Sequence, residues 1–307
     1  MKKFSLVAVL VLLIVLVGCT KETPAECFDY EIEGNHIIIT GLVKTDLEKI
    51  VIPECIEGSF VTEIAEYAFY DCTSLTSITI PDSVTRIGSR AFKDCKNLMS
   101  ISIPESVINI GSDVFAGCTS LTSVAISNSV EYISSYAFAN CTSLSSITIP
   151  DNVTAIMDSA FSGCTSLTSI TIPDNVTTIM DSVFSGCTSL TSVIIPDSIT
   201  EINYGVFGDC RSLTSVNIPG SVTKIGSFAF SGCASLTSIT IPDGVTEIGS
   251  DVFAGCTSLT SVAIPNSVKR IESYAFYDCT NLTNVTIPDS VKYIAPTAFE
   301  GTGVKLP

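Results

Sequence analysis

The chain has 307 residues, 15% of them charged, with one histidine, no tryptophan and a formal charge of −16. That acidic balance disfavours nucleic acid and anionic lipid headgroups as partners, because both carry the same sign. The length allows one large domain or two ordinary ones, but no Pro/Gly/Ser-rich linker interrupts the periodic region, which favours one continuous body.

At the N-terminus Lys2 and Lys3 precede an apolar run over residues 6–17 that ends at Gly18-Cys19. The run is too short to span a bilayer as a mature helix, and residues 1–18 read as an export signal. The stretch Leu16-Val17-Gly18-Cys19 resembles a bacterial lipobox, which implies lipidation of Cys19 as the first mature residue. An ordinary signal peptide with an incidental Cys19 and an uncleaved anchor are the competing readings; the shortness of the run counts against the second. One acyl chain would hold weakly and two or more firmly, since each buried methylene contributes about 0.8 kcal/mol. Loss of the leader removes Lys2 and Lys3 and takes the formal charge from −16 to −18. Thr20 follows the cysteine, so the aspartate that resembles an inner-membrane retention signal is missing. Residues 19–26 read as a tether between lipid and fold.

Residues 27–60 read as an N-terminal cap and a degenerate first repeat. Ile32 and residues 35–40 suit a capping hairpin or strand, and residues 47–52 suit a first, degraded strand. Five extra residues intrude before Val61, so that Pro53 and Pro81 lie 28 apart. Cys27 and Cys55 fall in this region and are candidates for one capping disulfide. His36 lies here too and reads as structural or exposed.

From residue 61 to 307 one 23-residue unit recurs. Cysteine stands at Cys72, Cys95, Cys118, Cys141, Cys164, Cys187, Cys210, Cys233, Cys256 and Cys279, every neighbouring pair 23 apart, and phenylalanine keeps the same step from Phe69 to Phe299. Self-similarity at this period marks a solenoid, in which each unit buries its apolar face only against its neighbours. Within one unit, Ile101 and Ile103 alternate with Ser100 and Ser102, the period of a strand with one buried face. Pro104 closes that strand because it lacks the backbone donor of an interior ladder; Ser127 is the one substitution in the proline series. Residues 107–110 read as a second short extended piece, and residues 113–116 as a turn or less than two turns of helix. Eleven parallel strands, counting the degenerate first one, would make a sheet about 50 Å long. The pattern stops at residues 299–307 with no polar cap in view.

The run Ala68-Phe69-x-x-Cys72-x-x-Leu75-x-x-Ile78-x-Ile80-Pro81-x-x-Val84-x-x-Ile87 resembles the BspA-like, or treponemal, class of leucine-rich repeat over residues 47–299. The resemblance implies an α/β-type repeat solenoid, a right-handed leucine-rich-repeat superhelix with a long parallel sheet. It also implies a surface protein of host-associated bacteria, several relatives being adhesins that bind host or bacterial proteins.

Ten regularly spaced thiols in an exported chain suggest a disulfide framework. In a parallel stack, however, equivalent side chains point the same way, which leaves their Cβ atoms badly placed for a bond. Buried free thiols fit better, since cysteine between inward Phe and Leu behaves as a small hydrophobe. A row with no Cys-x-x-Cys pair does not converge on a metal, and no cofactor is expected. Asp82, Glu105, Asp151, Asp174, Asp197, Asp243 and Asp289 form a broken acidic edge of isolated turn residues, without the ligand spacing of a calcium loop.

The outward rows of the main strand are small and nearly uncharged, as at Ser169/Thr171 and Ser192/Ile194, and lack the aromatic and arginine anchors of binding hot spots. The turns vary more: Tyr132, Tyr136, Tyr204, Arg211, Phe228, Lys269, Arg270, Tyr274 and Tyr277 are the candidate binding residues. The expected function is that of a lipid-anchored, non-catalytic surface scaffold. Its partners would be host or bacterial surface proteins, with the membrane touched only through the anchor. A passive structural coat without a specific ligand is the alternative.

Overall fold

The computed structural model describes residues 22–305 and winds them into a solenoid of about eleven turns that follow the 23-residue period. Cys19 lies outside the described residues. Where it forms, the main strand of a turn has three residues, as at Ser100–Ser102, where the middle one is buried and its flanks are exposed. Strands one repeat apart pair in parallel, Ser100 on Ser123, Ile101 on Val124 and Ser102 on Ala125. The expected unbroken sheet is instead interrupted: residues 146–148 leave the ladder, and residues 215–217 keep only a bridge from Ile194 to Asn217. The first gap is an open groove of about 280 Å³ between residues 146–149 and 169–171. Beneath it Phe138 and Phe161 still stack at 5.4 Å. The core therefore holds the repeat where the ladder does not.

A second row is built from two-residue strands, such as Glu247–Ile248 paired with Arg270–Ile271. A third backbone ladder runs through the turns. Tyr67, Phe69 and Asp71 donate their N–H groups to the carbonyls of Ser89, Ala91 and Lys93 at 3.1, 2.8 and 2.9 Å, and Asp113, Phe115 and Gly117 repeat this onto Ser135, Ala137 and Ala139. Residues 113–116 accordingly form a turn, and the helical alternative is not taken. The helical element among the described residues is one 3-10 turn, Ala25–Cys27.

Phenylalanine rings from Phe69 to Phe299 stack turn on turn at 5.1 to 5.7 Å with planes 4° to 18° apart. Burying each such side chain contributes about 1.5–3 kcal/mol. The ten repeat cysteines are free and buried beside them. From Cys95 to Cys279 each thiol donates to the carbonyl of the phenylalanine 26 residues earlier, at 3.0 to 3.2 Å. The same carbonyl already accepts a backbone N–H within its own turn, Cys95 N on Phe92 O at 3.2 Å, for example. Cysteine thus fills a small apolar space and uses the oxygen's second lone pair. Burial pushes the thiols of Cys187 and Cys279 up to about 12, and those of Cys141, Cys164, Cys210, Cys233 and Cys256 well above their ordinary value.

The N-terminal end is closed by β1 (Phe28–Glu33) and β2 (His36–Leu42), an antiparallel hairpin with Gly34 at φ +65 in its turn. After β3 (Lys49–Val51), the five extra residues form a second hairpin between β4 (Cys55–Ile56) and β5 (Ser59–Ile64). This arrangement separates the two cysteines read as a capping disulfide. Cys27 is buried, Cys55 is exposed on β4, and both are free. The stretch read as a tether is docked at its described end, because Thr23 N donates to Val51 O at 2.9 Å and Thr23 Oγ1 accepts from Val51 N at 2.9 Å. At the proline series' exception, Ser127 is buried and its hydroxyl donates to Glu105 Oε2 at 3.4 Å; Glu105 also accepts from Asn128 N at 3.1 Å. One member of the acidic edge is thereby engaged by the neighbouring turn.

Candidate binding surface

Two turn columns run the length of the solenoid with positive φ, and they obey different rules. One holds Asp71, Asp94, Gly117, Asn140, Gly163, Gly186, Asp209, Gly232, Gly255, Asp278 and Gly301, residue types that tolerate the left-handed conformation. The other holds Tyr67, Arg90, Asp113, Tyr136, Ser159, Ser182, Gly205, Phe228, Asp251 and Tyr274. Left-handed backbone costs an ordinary side chain about 1–2 kcal/mol, and a bulky one there is an outlier. The cross-turn ladder holds both columns in this shape, since alternate N–H groups must point into the next turn. Gly205 meets the requirement without strain. The aromatic residues do not, and they are exposed.

Most of the sequence-predicted residues gather on this ridge or on the second-strand row beside it. Tyr204 tilts against Phe228 with ring centres 5.4 Å apart. Tyr274 and Tyr277 stand edge to face at 5.5 Å and 87°. Tyr136 projects from the same column as Tyr274, and Tyr132 from the strand before it. Arg270 is held on three sides: its Nε lies 2.7 Å from Glu272 and 3.8 Å from Glu247, and its guanidinium carbon is 4.5 Å from the centre of the Tyr293 ring. Lys269 Nζ donates to Asn266 O at 3.2 Å, and Arg211 pairs with Asp209 at 3.3 Å. Both cations are therefore tied to their own turns.

A second aromatic cluster escaped sequence reasoning. Tyr67 and Tyr70 lie nine repeats before Tyr274 and Tyr277 in the same two columns and form the same edge-to-face pair, at 5.7 Å and 81°. Around them Arg86 pairs with Glu63 at 3.5 Å, Arg90 with Glu66 at 3.6 Å and Lys93 with Asp113 at 2.7 Å. Column alignment at period 23 is the signal that could have found it.

Two open grooves flank the ridge. One, of about 380 Å³, is lined by Arg86, Gly88, Asn109, Gly111 and Tyr132; the other, of about 550 Å³, by Glu201, Lys224, Gly226 and Glu247 among others. At Gly88 an added Cβ would meet the backbone N of Glu66 at 2.4 Å, so the close approach of two turns requires glycine there. The Ser/Thr face, by contrast, is flat apart from the groove at the ladder break, and its one large apolar projection is Ile194, 69% exposed.

The comparisons with known proteins agree with this geometry. The model of the BspA type leucine rich repeat region matches residues 62–191 and 177–305. A leucine-rich repeat protein from Bacteroides ovatus is 30% identical, with a TM-score of 0.78 over 92% of this chain and 81% of that one. A leucine rich cell surface protein from Faecalibacterium prausnitzii is 28% identical, with a TM-score of 0.57 over 94% and 96%. The T. pallidum leucine rich repeat protein is 32% identical, with a TM-score of 0.50 over 70% and 91%. No curated protein matches the chain. With the repeat pattern, the stacked parallel turns and the family model in agreement, the chain belongs to the BspA-type leucine-rich-repeat family.

Proposed function

We propose that this chain is a non-catalytic binding scaffold displayed on a bacterial surface, tethered by lipid at Cys19 and directed at host or bacterial surface proteins. The observation that carries the reading is the strained turn column. A solenoid that served only as a coat could place glycine, asparagine or aspartate at every left-handed position, as the neighbouring column does. Tyr67, Tyr136, Phe228 and Tyr274 are kept there, exposed, against a cost of about 1–2 kcal/mol each. Tyrosine and arginine are the residues that dominate binding hot spots. Repetition along a rigid rod adds avidity without any single strong site. The cell-surface description of the Faecalibacterium relative supports the location.

The uniform Ser/Thr face favours the passive coat, and binding assays separate the two. Mature protein should bind host matrix or co-resident bacterial surfaces, and a form lacking half the turns should bind less. Joint replacement of Tyr136, Phe228, Tyr274 and Tyr277 by alanine should weaken binding more than joint replacement of Ser169, Thr171, Ser192 and Ser215. Equal loss would move the site to the sheet face, and no partner for the unaltered chain would favour the coat. Metabolic lipid labelling tests the anchor: Cys19→Ser should abolish both label and membrane retention, and unchanged labelling sinks the lipoprotein reading.

A further inference from the structure

The two tyrosine pairs share their columns and ring geometry, but the next turn treats them in opposite ways. Beyond Tyr67 and Tyr70 it supplies Arg90 and Lys93; beyond Tyr274 and Tyr277 it supplies Thr297 and Glu300. The Arg90 guanidinium carbon lies 5.4 Å from the Tyr67 ring centre, while its nitrogens donate to the Tyr67 hydroxyl and pair with Glu66 at 3.6 Å. The N-terminal pair is thus already occupied by an arginine of its own chain.

The C-terminal pair has the same rings and an uncompensated negative surround. Tyr274 and Tyr277 are 40% and 37% exposed. Among the described residues neither Asp278 nor Glu300 forms an ion pair, and the two cations of the same turn are committed elsewhere, Arg270 to Glu272, Glu247 and Tyr293 and Lys269 to Asn266 O. Asp278 first, then burial and Glu300, push the Tyr277 phenol up, which places negative potential at the ring. A guanidinium suits such a place better than an ammonium, because it stacks flat on an aromatic face while its edge donates to carboxylates.

We propose that Tyr274 and Tyr277, with Asp278 and Glu300, form a receptor for an arginine side chain presented by a partner polypeptide, the place that Arg90 fills at Tyr67. The proposal rests on the binding-scaffold reading and adds the chemistry of the partner. The test uses the mature chain and a fluorescent peptide of alternating arginine and glycine, followed by anisotropy at physiological salt, with the citrulline counterpart and free arginine as comparators. Tyr274→Ala with Tyr277→Ala should weaken arginine-peptide binding about tenfold, the size expected for loss of a cation–π contact and its hydrogen bonds. Thr297→Arg, which supplies the cation from within, should weaken it similarly while leaving both rings and the circular dichroism of the fold in place. Binding unchanged in both variants would assign the affinity to the acidic surface as a whole and overturn the site. Equal binding of the citrulline peptide would overturn the guanidinium, and free arginine binding as tightly as the peptide would overturn the polypeptide partner. Surface binding lost while peptide binding persists would sink the scaffold reading alone; the reverse result would sink this inference alone.

Discussion

At the N-terminal end of the solenoid β2 lies across the first turn and buries Ile37 and Ile39 completely, while Thr23 exchanges two hydrogen bonds with Val51 and blunts the edge of the main sheet. At the other end Val285, Ile287, Val291 and Ile294 are only partly buried, although their counterparts one turn earlier, Val262, Ile264, Val268 and Ile271, are buried. Gly303 N reaches back to Leu282 O at 3.1 Å and Val304 packs on the core, which covers part of the last described turn. The last unit nearly repeats the sequence of the one before it, so that difference in burial comes from the neighbour and not from the unit. In a one-dimensional stack stability is a sum of nearest-neighbour contacts, and a turn that lacks one neighbour lacks about half of them.

The sharpest way to break this comparison is a charge placed at each end. Ile39→Asp puts an unpaired carboxyl under the N-terminal hairpin, where no partner can reach it, and should cost about 4 kcal/mol or more. Ile294→Asp, in the last second-row strand, should cost about 1 kcal/mol because water reaches the site. Urea midpoints of the two variants measure the contrast, and equal losses would show that the ends are equivalent. Hydrogen exchange should agree, with amides of residues 284–303 exchanging before those of β5.

Alkali gives an intermediate effect. The buried thiols of Cys187 and Cys279 keep their protons to about 12 when folded, whereas the unfolded chain releases them near the ordinary value of 9.0. Above that ordinary value the unfolded state binds fewer protons than the native state, so stability is fully present below it and falls as pH rises towards 12. Each such thiol contributes about 1.4 kcal/mol per pH unit in that window. Denaturation midpoints measured along it test the slope, and a flat profile would contradict the burial. Thiol reagents should react at once with Cys55, next with Cys279 by fraying of the last turns, and with Cys187 only on global unfolding. The smallest effect is expected from Thr23→Ala, which removes one hydrogen bond at the blunted edge and should cost about 1 kcal/mol by the same urea assay.

Much of this architecture was legible because it is written as spacing. The alternation around Ile101 marks the strand, the phenylalanine and cysteine rows mark the core, and Asn35 with its flanking apolar residues marks the cap hairpin. What spacing does not carry is how one turn meets the next. The cross-turn ladder joins backbone atoms and leaves no side-chain signature, so the left-handed column containing Tyr67 and Phe228 looks arbitrary until the ladder is seen. Tyr67 and Arg90 stand 23 residues apart and meet only because the pitch brings one turn over the other. Cys27 and Cys55 looked like partners by position, yet the β4–β5 hairpin carries the second thiol outward. The candidate ridge was read from Tyr132 onward, where unlike residues stand out from the repeat, and missed at its N-terminal end, at Tyr67 and Tyr70.

The thiol-to-carbonyl bonds have a consequence for how the chain meets oxidants and reductants. A chain with ten sulfhydryls in its repeats alone would ordinarily depend on the redox poise of its compartment, either gaining cross-links that hold it together or suffering scrambled ones. Here the ten repeat sulfurs are hidden from solvent, and the nine from Cys95 to Cys279 are spent on the preceding turn's phenylalanine carbonyl. Oxidant and reductant should therefore leave the finished fold alike. Its vulnerable moment is synthesis and folding, while the sulfhydryls are still uncovered and any two can couple. A structure that adds one turn at a time shortens that moment for every turn already laid down.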